Sequence, residues 1–140
     1  MRKPLSDVAA EALTVVFEKD SMIQVAYLFG SRCKGTNVPE SDIDVAVLLA
    51  ELPDEMLDYY LDLIGRLSEV LGDNVDLVVL NAAPPLLRHQ VISCGKVIYS
   101  RDERARVEFE ARAEREYLDF SRFKERYDER MMEELVRWKG

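Results

Sequence analysis

Three short apolar runs set the terms on which this chain can fold: Ile23 to Phe29, Asp42 to Leu49 and Val75 to Leu80. Each is dense in β-branched, aliphatic or aromatic residues and reads as a strand. The first two are separated by the polar loop Gly30 to Ser41. Helical periodicity fills the other segments. Leu5 to Lys19 puts Leu5, Val8, Ala9, Ala12, Leu13 and Val16 on one helix face, with Ser6 as its cap. Leu57, Tyr60, Leu61, Ile64, Leu67 and Leu71 mark a second amphipathic helix, which Gly72 closes. Pro84 and Pro85 start a short helix through Ser93, and Val97 with Ile98 form a last short strand after the turn at Gly95. Alternating helices and strands predict a small α/β body.

The end of the chain has a different character. No Gly or Pro occurs between Gly95 and Gly140, so Asp102 to Trp138 is expected to be one helix. At a rise of 1.5 Å per residue such a helix is about 55 Å long. That exceeds the width of a body built from the first hundred residues, so part of it must overhang or fold back. Charge divides at the same point: residues 101–140 carry 11 basic and 12 acidic side chains, while the strong acidity lies before them. Two units are therefore expected, a body over 1–100 and a helical extension over 101–140. Phe109, Ala113, Tyr117, Phe120, Tyr127, Met131, Leu135 and Trp138 recur along the extension at three- and four-residue steps, with a slip near Phe123. The first of these can pack on the chain's own sheet. The later ones lie too far along and are expected to meet a partner, self-association included.

Composition excludes several classes. With 48% hydrophobic and 33% charged residues the chain is globular, and its net charge of -8 disfavours sequence-independent nucleic-acid binding. No direct nucleic-acid partner is expected. The longest charge-free stretches fall well short of the roughly 18 residues that read as a membrane span, and the N-terminus has no signal-peptide core. A soluble cytoplasmic protein is expected. Cys33 and Cys94 stand far apart without a CxxC pattern, so neither a zinc knuckle nor a disulfide framework is indicated.

The chemistry is concentrated in Gly30-Ser31, ten further residues, and then Asp42-Ile43-Asp44. Side chains alternate across a strand, so Asp42 and Asp44 project from one face while Ile43, Val45 and Val47 take the other. Two carboxylates that close repel unless a cation intervenes, and hard oxygen ligands of this kind suit Mg²⁺. Glycine where a strand ends lets the backbone approach a phosphate, which exposed N–H groups and the Ser31 hydroxyl can hold. Asp76, on the third strand, offers another carboxylate. Each piece alone is compatible with an ordinary turn or strand end; their coincidence on consecutive strands is what points to chemistry.

These residues resemble the signature of the minimal nucleotidyltransferases, which have the DNA polymerase β-like fold. The resemblance covers about residues 20 to 100, including Tyr27-Leu28-Phe29 and Val75-Asp76-Leu77-Val78. It implies a small mixed sheet flanked by helices, with Asp42, Asp44 and Asp76 catalytic and grouped around Mg²⁺. Gly30, Ser31 and Arg32 are implied to bind the triphosphate. In such enzymes a hydroxyl attacks the α-phosphate of a nucleoside triphosphate, pyrophosphate leaves, and Asp76 would accept the proton. About 40 residues follow the core, a helix without a basic surface, so the acceptor is expected to be another protein brought by docking. Within the family the chain most resembles the MntA-type antitoxins. That implies transfer of AMP from ATP to a tyrosine of a HEPN-domain ribonuclease toxin (HepT-like), which neutralises it. Two alternatives stay open: a minimal nucleotidyltransferase acting on a small molecule or another protein, and an antitoxin that works by binding alone. His89, Cys94, Tyr59 and Tyr60 are read as packing or surface residues. No role is assigned to Cys33.

Overall fold

The computed structural model describes residues 7–29, 43–72 and 75–139, and side-chain exposure from residue 10 to 138. Helix α1 (Asp7–Lys19) leads into β1 (Ile23–Phe29), β2 (Ile43–Leu49), α2 (Met56–Leu71) and β3 (Val75–Val79). A 3₁₀ turn (Leu80–Ala82) then precedes α3 (Pro85–Cys94), β4 (Lys96–Ser100) and α4 (Glu103–Lys139). The sheet order is β3-β2-β1-β4. β1 runs antiparallel to both β2 and β4, while β2 and β3 are parallel. This is the expected small mixed sheet flanked by helices.

Apolar side chains leave both faces of the sheet, and each face has its own helical cover. Ile23, Ala26, Val45, Val47, Leu49, Leu77 and Val79 pack with Leu13 and Phe17 of α1 and Leu63 and Leu67 of α2. Val25, Tyr27, Phe29, Ala46 and Leu48 form the other layer, closed by Val91 of α3 and by Phe109 and Ala113 of α4. The register of β1 against β2 shifts between Ile23 and Val25. An extra residue inverts the side-chain alternation there, so Ile23 and Val25 feed opposite layers although they stand two apart.

Two helices bury much of the face that periodicity suggests, Leu13 and Leu67 included, and add a residue from beside it. In α1 the deepest residues are Leu13 and Phe17; Phe17 completes the face that the sequence assigned to Val16. In α2 the buried row is Leu63 and Leu67, whereas Leu57 and Leu61 are exposed at 68% and 56%. That helix has two adjacent leucine rows, and periodicity alone does not say which one meets the sheet. Gly72 ends α2 with a left-handed φ of 68°, its N–H bonded to the carbonyl of Ser68, as the closing glycine should. β3 ends one residue earlier than expected because Leu80 enters the 3₁₀ turn.

That turn is held by polar side chains. Asn81 accepts from the Leu49 N–H and donates to the Leu49 carbonyl, at 2.9 Å each, which extends the ladder of β2 past the end of β3. Arg88 donates to the carbonyls of Leu80 and Asn81 at 2.8 and 2.7 Å, and to Glu116 of α4 at 3.0 Å. Three partners on two elements make this guanidinium a tie between α3 and α4.

α4 is a single helix of 37 residues. Its first three turns belong to the core through Phe109 and Ala113, and every described side chain from residue 122 to 138 is exposed. Of the two expected outcomes, the helix overhangs and does not fold back. At the other end of the α3–β4 connection, a methyl group added to Gly95 would run into the carbonyl of Val91. The same residue donates its N–H to that carbonyl at 2.7 Å. Gly95→Ala should therefore open the end of α3 and lower the unfolding free energy by about 1–3 kcal/mol, read as a drop in the urea midpoint at unchanged slope.

Candidate active site

The strand directions bring the C-terminal end of β1 and the N-terminal ends of β2 and β3 to one edge of the sheet. There Phe29 is the register partner of Asp44, and Asp44 is the register partner of Asp76. Asp44 and Asp76 therefore project from neighbouring strands on the same face, the one that carries Ala46 and Leu48 further along. The two carboxylates differ in setting: Asp44 is 3% exposed, a charged residue in an otherwise apolar core, while Asp76 is open to solvent. An ionised carboxylate at such depth is tolerated only beside hydrogen-bond donors or a cation. Hard oxygen donors on adjacent strands, one buried and one facing water, have the chemistry that Mg²⁺ takes.

Gly30, Ser31, Arg32 and Asp42 lie outside the described residues, as does Cys33. Among the described residues no three His, Cys, Asp or Glu side chains gather closely enough to hold a metal ion. Asp44 and Asp76 are the two expected ligands that the described structure brings together.

The domain model described as polymerase beta, nucleotidyltransferase, matches residues 11–104. The chain belongs to that nucleotidyltransferase family. A protein named protein adenylyltransferase MntA from Shewanella oneidensis is 38% identical over 81 residues, 58% of this chain and 57% of that protein. A second protein of the same name, from Aphanizomenon flos-aquae, is 32% identical over 88 residues and 57% of its length is matched. The chain thus spans a little over half the length of the curated relatives it matches. Among solved structures, one chain of a toxin–antitoxin structure with AMP-PNP superposes with a TM-score of 0.69 at 27% identity, over 88% of this chain and 98% of that one. A structure of tri-AMPylated Shewanella oneidensis HEPN toxin in complex with MNT antitoxin gives 0.69 at 25% identity, over 89% and 96%.

In this nucleotidyltransferase the strand leading to the expected phosphate turn is braced by α4. Tyr27 of β1 donates its hydroxyl hydrogen to Glu110 at 2.8 Å. Arg106 donates to the same carboxylate oxygen at 3.1 Å and to Glu103 at 2.6 Å. Sequence reasoning does not find this brace. An isolated tyrosine in an apolar strand is its only signal, and its partner lies 83 positions away. Tyr59, read as packing, also holds a polar network: its hydroxyl donates to Asp20 at 2.8 Å, an oxygen that Arg66 shares at 3.2 Å. Tyr60 donates to the carbonyl of Leu77. His89 stacks on Tyr117 at 3.7 Å between ring centroids, in keeping with a packing role, whereas Cys94, expected to pack, is exposed.

Burial, and the carboxylate that each hydroxyl faces, push the phenols of Tyr27 and Tyr59 far above their ordinary value. A raised folded-state value means that stability is fully present below about pH 10 and falls as pH climbs beyond it, where the unfolded phenols ionise first. Alkaline unfolding followed by circular dichroism should accordingly be shallower in pH for Tyr27→Phe and Tyr59→Phe than for the unaltered chain. An unchanged pH dependence in both variants would show that the two phenols are not linked to folding.

Proposed function

We propose that this chain transfers AMP from ATP to a tyrosine hydroxyl of a HEPN-family ribonuclease toxin in the cytoplasm and so neutralises it. The observation that carries the reading is the side-by-side pair Asp44 and Asp76 at the active edge of a nucleotidyltransferase fold. The relatives are its second support: their name is protein adenylyltransferase, and the matched solved structures are described with AMP-PNP and with an AMPylated HEPN toxin.

Asp42, Asp44 and Asp76 would hold Mg²⁺. When bound, the cation neutralises triphosphate charge and orients the reacting phosphoryl group. Gly30 and Ser31 would supply backbone N–H groups and a hydroxyl to the triphosphate, and Arg32 a guanidinium. The tyrosine oxygen of the toxin attacks the α-phosphorus, and the bond from that phosphorus to the pyrophosphate oxygen breaks. Asp76 is the exposed carboxylate of the pair and accepts the proton that the phenol gives up. Asp44 is fixed by burial on its strand, so its position needs no reorganisation during transfer.

Asp44→Asn should lower transfer of labelled AMP from ATP to the toxin by roughly 10³-fold or more, with the circular dichroism spectrum unchanged. Asp76→Asn should lose turnover while keeping more Mg-ATP affinity than Asp44→Asn, measured by calorimetry. Undiminished transfer by both variants would refute the proposed site, and equal loss of binding in the two would make Asp76 a metal ligand and not the base.

A further inference from the structure

We infer that two copies of this chain pair through the overhanging half of α4, with the two helices antiparallel and Trp138 of each seated in a groove of the other. Beyond Ala113 the buried stripe of α4 does not stop. It continues at heptad spacing as Tyr117, Phe120, Lys124, Tyr127, Met131, Glu134 and Trp138, on the same helix face. Tyr127 is 55% exposed, Met131 41% and Trp138 89%, a run of large side chains that a lone helix in water does not favour.

The stripe is complementary to itself in one register. Laid antiparallel with Tyr127 opposite the second copy's Met131, the seam sets Phe120 against Trp138 and Lys124 against Glu134, and two-fold symmetry repeats each pair. Every layer is then apolar on apolar or cation on anion. In a parallel pair the same residues would meet their own copies, Lys124 on Lys124 and Glu134 on Glu134, two layers of like charge. Shape excludes the parallel pair as well. The proximal stripe, through Phe109 and Ala113, lies on the chain's own body. A parallel second helix on that face would run into this body, whereas an antiparallel one leaves past the free end of α4. Polar residues in a helical seam are known to fix register and orientation in this way.

The groove that receives Trp138 is already formed. Where α4 leaves the body, Leu86 of α3 and Tyr117 and Phe120 of α4 form the apolar wall of a cavity of about 360 Å³, and Ser121, Lys124, Glu125 and Asp128 form its polar rim. Phe120 lies at the level of the second copy's Trp138 in the antiparallel register. Lys124 rests on Asp128 at 3.5 Å, both exposed, so its ammonium stands at the rim and can be shared with Glu134 of the other copy. The contact is isologous and closes on itself, and a dimer is its end point.

The test uses the full chain without toxin, its mass followed by light scattering and its dissociation constant by sedimentation. A dimer is expected. Lys124→Glu and Glu134→Lys, both at exposed positions, should each raise the dissociation constant at least tenfold, because each creates two like-charge layers. The double variant Lys124→Glu/Glu134→Lys should restore the dimer, and Trp138→Ala should weaken it. A monomeric unaltered chain, single reversals without effect, or a double variant that stays dissociated would each overturn the pairing. If the unaltered chain is monomeric and the single reversals instead weaken capture of the HEPN toxin, the stripe belongs to the toxin and the pairing is likewise overturned. AMP transfer measured on the same variants reports separately on the proposed activity.

Discussion

Covering both faces of β1 and β2 is the constraint on which the rest of this molecule depends. Beyond Ile43 every residue of β2 is buried, and β1 is nearly so. Two strands this apolar need helices on both sides, and four helices supply them. α1 and α2 cover one face. α3 is too short to cover the other alone, so the first turns of α4 are drawn into the core through Phe109 and Ala113. The register shift in β1 lets one strand serve both layers from a single apolar run. Against that background a carboxylate at Asp44 is costly, and it stands near the start of its strand, beside the exposed Asp76.

How much of this was legible in the sequence follows the range of the interactions involved. Strands β1 to β4 and all four helices are local patterns of apolar residues and turn signals, and their bounds fall within a few residues of those expected. Leu67 was legible as core, but that Leu63 and not Leu57 or Leu61 would join it was not, because the three look equally suitable until the sheet selects between them. Nor were the ties that cross the chain: Tyr27 to Glu110, Arg88 to Glu116, and Asn81 to the backbone of Leu49. Each joins residues whose neighbourhood exists only after folding. Of the candidate site, Asp44 and Asp76 were legible as carboxylates on consecutive strands. The register of β2 on β3 adds that Asp44 and Asp76 are direct neighbours, a relation that sequence spacing does not contain.

The two ends of the sheet are finished differently. At one end Asp44 and Asp76 stand side by side where β2 and β3 begin. At the other, Asn81 and Arg88 satisfy the backbone groups of Leu49, Leu80 and Asn81 with side-chain hydrogen bonds. Rigidity at the closed end and a firm brace from Tyr27 to α4 leave the open end anchored from behind, the arrangement expected when a site must hold highly charged ligands without shifting.

The order in which the core layers are completed bears on how the protein is made. The face built from Val25, Tyr27, Ala46 and Leu48 is closed by Phe109 and Ala113, which are synthesised long after the strands they cover. While the ribosome extends the chain through that interval, the sheet has one finished side and one that α3 covers only in part. Nascent chains with such a side open are prone to wrong association. A pause or truncation before residue 113 thus exposes the chain to aggregation even though every expected site residue has already been translated.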